Sequence, residues 1–548
     1  MASTDAAIGI ENMGSPIHED DSISTTVENT NDSAGDSSNA VSGSSLMKAT
    51  NDEVLSATHD LSGSTFQDIQ DFINSAEVVE GDTIYLGNST YEGSAQITIN
   101  KANLIISGGT STNPTGFSTL TATGSRIFNL EAQGIKLQNI VFTNGNNPNG
   151  GGAINILNSA TGTTIENCAF LDNHAQAIDQ GGYSNYDGSG GAIYCQANGL
   201  TLSNCNFTDN VATIGGTVYL SQSASNSKVE NCKFSGNRAE GLNLGSYGKG
   251  GNGGAIYSQA SGLTITSCDF TNNYGTPMNH NNNYGSGGLG GAIFCDNSNL
   301  AITNSNFTGN DGASGGAIYL GSIIDNGAIV RSADNFKLIN SSFLDNNVSD
   351  VVIHGGEGDW MYGGMGGAIY TAVSCGNGLI ENTTFINNNA SLGGGAIKNQ
   401  NSRGWNVTNS TFINNTAYGE TNHVPHGGGA IWSCESVMNV TDSTFIGNEA
   451  PYGGALRGAF NIYDSDFDSN TATDGNGGAI DVTCEASLRY ALFLEFQNSN
   501  FTNNDAKGKR EDDRAQGGAI HIFEIEEVNM YDCICINNTA DRGGAVDY

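Results

Sequence analysis

Hydrophobic positions fall into fixed columns when the chain is cut into lengths of about 25 residues. The clearest copy is Gly190 to Asn210, GGAIYCQANGLTLSNCNFTDN. It opens on a Gly-Gly-Ala-Ile box and carries a Phe-x-x-Asn box 17 residues on. The first box recurs thirteen times, starting at Gly151, Gly190, Gly215, Gly253, Gly290, Gly315, Gly366, Gly394, Gly428, Gly453, Gly477, Gly517 and Gly543. The aliphatic residue closing each box, from Ile154 and Ile193 to Val546, is mostly β-branched, which suits a strand and an inward position. A second apolar row runs five residues before each Phe, from Leu137 to Met530. Two residues before Phe stand small groups: Cys168, Cys205, Cys232 and Cys268, then Ser or Thr. Spacings of two and five around the Phe fit short strands joined by corners, not a helix of period 3.6.

Three residues after Phe stands Asn, from Asn173 to Asn538. Asn tolerates positive φ and bonds its own backbone, so it suits a corner; stacked amides can also bond from rung to rung. The glycine pair permits a turn where no Cβ would fit. The pattern predicts an all-β fold, a right-handed parallel β-helix solenoid. Leucine-rich repeats and helical repeats each require a consensus or a 3.6 period that this chain lacks.

Residues 1–60 read as a disordered acidic leader rich in Ser, Thr and Asn, with eleven acids against the single base Lys48. The solenoid is expected over 61–548. Thr65 is placed to cap a short helix over 65–76, where Phe66, Ile69, Phe72 and Ile73 share a face that would cover the open apolar end. Degenerate first rungs follow over 80–141, and motif rungs over 142–548. The last box, Gly543 to Tyr548, opens a rung without closing it, which reads as a truncated C-terminus.

Insertions follow Phe170, Phe234, Phe270, Phe343, Phe412 and Phe501, all at the corner between the Phe box and the next glycine pair. They are therefore expected along one edge, carrying His174, His280, His354, His423 and His426 with Tyr183, Tyr186, Tyr247, Tyr284, Trp360 and Tyr362. Loops gathered on one edge of a rigid scaffold are where binding usually resides.

A formal net charge of −37, with 19 Lys and Arg, argues against a nucleic-acid or anionic-membrane partner. The 11 Cys show no CxxC or Cys/His spacing and read as small buried thiols. No run of 18 apolar residues is present, so no transmembrane segment is expected. The first residues show no signal peptide; the composition suits a mature extracellular or cell-surface chain from which one has been removed.

The GGA[ILV] and FxxN boxes over 142–548 resemble the polymorphic outer-membrane protein repeat. Phe66-Gln-Asp-Ile-Gln-Asp-Phe-Ile and Gly81-Asp-Thr-Ile-Tyr-Leu resemble the entry of pectate-lyase-like β-helices. Together with the acidic leader, the chain is similar to adhesin-like surface proteins of methanogenic archaea. The resemblance implies cell-surface display and adhesion. It departs from the bacterial proteins in showing no stretch that reads as an outer-membrane β-barrel.

The residue after the box aliphatic should face outward, and there stand Tyr194, Tyr219, Tyr257, Phe294, Tyr319 and Tyr370, then Lys398 and Trp432. Two uses compete: a glycan track on exposed aromatic faces, or a stripe that shields the coil. Trp360 and Tyr362 join the ligand-binding candidates. Asp464, Asp466 and Asp468 flank an inward Phe467 and read as a solvated row, with a structural Ca²⁺ the alternative; no other metal or cofactor is expected. The nine Arg are scattered, and none recurs on the rung face near paired acids as a lyase would need; the best acid cluster for a hydrolase is the same Asp464, Asp466 and Asp468. Sequons such as Asn206-Phe-Thr and Asn306-Phe-Thr place Asn beside an inward Phe, hence toward solvent. The expectation is a non-catalytic adhesin-like protein that meets surface or matrix glycans or proteins. The alternatives are a polysaccharide lyase or hydrolase and a structural envelope stalk.

Overall fold

The computed structural model describes residues 56–177, 188–243, 248–276, 287–325, 328–348, 352–355, 358–361, 363–419, 427–483, 493–508 and 514–548. The residues read as a disordered leader lie outside these, apart from 56–60. Thr58–Asp60 is not spacer but the first strand, paired in parallel with Thr83–Tyr85. The single helix among the described residues is Phe66–Asn74. Thr65 caps it, with Asp68 returning the bond as a capping box. Phe66, Ile69 and Ile73 are buried in the mouth of the coil, while Phe72 is half-buried and edge-on to His59.

Each full rung carries a box strand, a middle strand, a Phe strand and, in most, a two-residue strand after the Asn. Like strands stack in parallel across rungs. The Phe strands form one 15-stranded sheet and the two-residue strands an 11-stranded sheet, while box and middle strands merge in a third. The thirteen box aliphatics pair directly, Ile154 on Ile193, Ile193 on Val218, and onward to Ile520 on Val546. The fold is a right-handed parallel β-helix.

The core is a set of ladders. Phe rings from Phe142 to Phe501 stack with centroids 4.6–4.9 Å apart, close to the spacing of adjacent strands. Cys168, Cys205, Cys232 and Cys268 are buried free thiols in one column, continued by Ser305 and Ser341. Burial pushes the Cys195 thiol up to about 12.

The Asn row forms ladders as expected, but it is not where the backbone turns left-handed. Positive φ falls one residue earlier, at Asp172, Asp209, Asn272, Asp345, Asn387 and their equivalents. A second left-handed column precedes the small residues, at Asn167, Asn204, Asn231 and Asn304. The ladder Asn instead turns inward and is fully buried. Asn310 is typical: its Nδ2 donates to Phe270 O (2.9 Å) and to Asn346 Oδ1 (3.0 Å). Its Oδ1 accepts from the backbone N–H and the Nδ2 of Asn273, both at 3.0 Å. Every polar atom of the amide is satisfied, which is what makes its burial affordable.

Candidate functional site

The glycine box sets the site. Gly190 has φ +68, and a Cβ there would lie 2.1 Å from the carbonyl oxygen of Ile193. Gly191 fails for another reason: its Cβ would lie 2.3 Å from the carbonyl oxygen of Gly216 in the next rung. One glycine is required by its own turn and the other by the rung above. This tight turn leads into the box strand at the same height in every rung, so the residue after the aliphatic forms one continuous column.

Tyr194, Tyr219, Tyr257, Phe294, Tyr319 and Tyr370 pair in register along that column. Their rings stack at 4.5–5.4 Å between centroids, with interplanar angles of 5–23°. They point away from the core, as expected, but they are not an open platform. Tyr257 and Phe294 are 9% and 5% exposed, and Ile214 and Leu289, each just ahead of a glycine box, pack with them. Backbone closes over the later rungs too: a Cβ on Gly393 would lie 2.3 Å from the Trp432 ring. Ring faces from Tyr219 to Tyr319 are taken up by the rings above and below, so ring edges, not faces, form the surface. Tyr194, Tyr219, Tyr319 and Tyr370 are half-buried. Burial pushes the Tyr370 phenol up to about 12, and those of Tyr219, Tyr257 and Tyr319 further.

The column then changes chemistry. Lys398, fully buried, sits over the Trp432 ring with Nζ 3.4 Å from its centroid. Arg457, Asp481 and His521 continue the register. Arg457 Nε lies 3.5 Å from Asp481 Oδ2, and its guanidinium lies 5.0 Å from the Tyr452 ring centroid. His521 Nδ1 lies 2.8 Å from Asp481 Oδ1, while Asn476 Nδ2 approaches Nε2 at 3.4 Å. A carboxylate can only accept, so Nδ1 carries the proton between them. All three residues are under 10% exposed. Sequence reasoning stopped at Trp432. The signal was present, because the same offset from the next three boxes lands on Arg457, Asp481 and His521.

A second cluster adjoins the aromatic rungs. Insertions do not all leave at one corner: the hairpin Ser322–Asp325 with Ala328–Ser332 leaves after a box strand. Counting residues only from Phe to the next glycine pair hid it. Its Arg331 reaches back to Asp296, Nη2 to Oδ2 at 3.1 Å. Gln259 Nε2 approaches the same oxygen at 3.5 Å, and Gln259 Oε1 accepts from the Tyr219 hydroxyl at 2.9 Å. Asp296 is fully buried, and burial raises its carboxyl above the usual range against the opposing pull of Arg331.

Asp464, Asp466 and Asp468 do not converge. Each accepts an amide from the following rung, from Asn498 (3.1 Å), Asn500 (2.8 Å) and Asn503 (2.9 Å) respectively. Among the described residues, no group of three or more His, Cys, Asp or Glu is placed to hold a metal ion. Of the loop candidates, His174 is half-buried in a short strand. Tyr183, Tyr186, Tyr247, Tyr284, Tyr362, His280, His423 and His426 lie outside the described residues, as do the side chains of His354 and Trp360. Asn206 and Asn306 of the sequons are exposed.

The Chlamydia polymorphic membrane protein repeat matches residues 167–196, 231–259 and 409–434. A probable autotransporter of Escherichia coli K12, YfaL, is 28% identical over 181 residues, covering 25% of this chain and 14% of that protein. The chain therefore spans only a small part of that relative. Among solved structures, the surface adhesin PfbA of Streptococcus pneumoniae is similar at 11% identity and a TM-score of 0.34, over 76% of this chain and 92% of that one. A family PL6 polysaccharide lyase from Pseudopedobacter saltans is similar at 11% identity and a TM-score of 0.32, over 88% and 93%. Three stretches of the chain thus match the polymorphic membrane protein repeat, and they lie within the stacked rungs of a right-handed parallel β-helix.

Proposed function

We propose that the chain is a non-catalytic, adhesin-like cell-surface protein that meets glycans or proteins of another cell or matrix. The observation that carries the reading is the contrast between core and column. The core repeats the same residue rung after rung, whereas the column after the box varies in chemistry and borders the surface with half-buried tyrosine edges. A scaffold that holds everything else constant while one longitudinal strip varies is suited to contact. The repeat match and the autotransporter relative support display at the surface. Because ring faces are already stacked, contact is through tyrosine edges and the loops beside them, not through a flat aromatic platform.

A polysaccharide-cleaving activity is the second reading, favoured by the Arg457, Asp481 and His521 stack. Against it, His521 Nε2 already faces an amide, and the Asp481 carboxylate is held by both Arg457 and His521. A glycan array run beside an unsaturated-uronate absorbance assay separates the readings. Retention without turnover is the expected result; turnover lost in His521→Ala would overturn it in favour of the enzyme.

A further inference from the structure

The Asp296–Arg331 pair is half of a fork. On a guanidinium, Nε and Nη2 share one edge, and a carboxylate normally closes both legs against that edge. Here Nη2 meets Oδ2 at 3.1 Å, while Arg331 Nε and Asp296 Oδ1 are buried and each lacks a hydrogen-bond partner. One leg is made and the other is open. The open leg offers a donor and an acceptor together, and a hydroxyl completes it with a single atom: its O–H donates to Oδ1 while its oxygen accepts from Nε.

The surroundings suit such a guest. The pair is tied through Gln259 to the Tyr219 hydroxyl, and Asp296 shares the surroundings of Gly321 with the Phe294 and Tyr319 rings, so it adjoins the aromatic column. Asp296 is fully enclosed and Arg331 Nε is itself buried, so a guest reaches the open leg only from the hairpin side, where the Arg331 side chain as a whole is 20% exposed. Charge selects the guest. The two partners neutralise each other; an anionic group brought to the open leg would meet Asp296, and a cationic one Arg331. The chain as a whole, at −37, also repels polyanions.

We propose that the aromatic column takes a neutral glycan, one of whose hydroxyls bridges Asp296 Oδ1 and Arg331 Nε. This rests on the glycan-binding reading above and narrows it to uncharged sugars. Polar groups of a site built to hold a hydroxyl are left unpaired by a ligand without one, so specificity follows from the same geometry.

The test uses the full chain against immobilised neutral gluco-, galacto- and manno-oligosaccharides, with oligouronates alongside. Affinity and melting temperature are read for wild type, Asp296→Asn, Arg331→Met and Arg331→Lys. Lysine keeps the charge but cannot present two donors on one edge. The expected result is retention of a neutral oligosaccharide, weakened about ten-fold or more in all three variants, with Arg331→Lys melting as wild type does. Wild-type affinity in Arg331→Lys overturns the bridging hydroxyl while leaving glycan binding intact. Preferential retention of oligouronates overturns the neutral class. A wild-type chain that retains no sugar overturns the glycan reading, and this inference with it.

Discussion

Replacing Asn310 by Ala removes the middle of the buried amide ladder, and the structure fixes what is left behind. Four side-chain hydrogen bonds disappear, two donated by the amide and two accepted. On the N-terminal side, the Asn273 backbone N–H and one Asn273 Nδ2–H lose their acceptor in a fully buried site. Two stranded donors at ~1–3 kcal/mol each place the cost at about 2–6 kcal/mol. The C-terminal side suffers less, because the Asn310 backbone N–H still donates to Asn346 Oδ1 at 3.0 Å. In a solenoid the loss stays near the altered rung, so amide hydrogen exchange is a better probe than a global melt. Protection of the Asn273 amide should fall by about thirty-fold or more, at ~1.4 kcal/mol per factor of ten, while the Asn310 amide changes little. Asn306→Ala, an exposed position in the same rung, should stay within ~0.5 kcal/mol. Unchanged protection at Asn273, or equal loss on both sides, would refute the reasoning.

Three further outcomes follow from the geometry. Gly191→Ala, whose Cβ would lie 2.3 Å from the Gly216 carbonyl, should cost more than about 4 kcal/mol. Gly199→Ala at φ +74, with no neighbour nearer than 3.9 Å, should cost only ~1–2 kcal/mol; urea titration compares them. Burial raises the Asp82 carboxyl, but N–H groups of Val79 and Ala57 and the His59 ring outweigh it and hold it below its usual value. Its contribution is therefore full above about pH 3.9 and is lost as pH falls through the lowered folded value. Asp82→Asn should cost ~1–3 kcal/mol at neutral pH and flatten the acid limb of a melting-temperature profile. Asp481→Ala strands Arg457 and His521 and should cost ~3–5 kcal/mol, whereas Arg457→Met combined with Asp481→Leu should recover part of that in a double-mutant cycle.

Winding, register and core were legible because each ladder repeats its residue type: a Phe at the same offset in twelve rungs can only sit where Phe sits in the rung below. The terminal helix was legible for the same local reason, a Thr65 cap followed by an apolar face. The left-handed corner was misplaced by one residue, since Asn is the residue that both tolerates positive φ and forms amide ladders. Only coordinates separate Asp209, which turns, from Asn210, which stacks. The aromatic column was found, but its covering was not. Alternation within a strand says which side chains leave the core, while Ile214 and Leu289 reach Tyr257 and Phe294 from segments with no repeating motif. The Asp296–Arg331 pair joins positions 35 residues apart through an irregular hairpin, and no column predicts it.

Core and column both depend on like standing directly on like, and a disulfide is a ruler for that. Asn206 and Lys233 are register partners on adjacent Phe strands, both exposed, whereas Ser235 lies two residues further along the second strand. Strands ~4.8 Å apart put the partners within the ~4.4–6.8 Å Cα range of a disulfide, and the offset pair beyond it. Peptide mapping after mild oxidation should find the new bond in Asn206→Cys with Lys233→Cys and none in Asn206→Cys with Ser235→Cys. A bond in the offset pair and none in the partners would contradict the stacking from which both core and column were built.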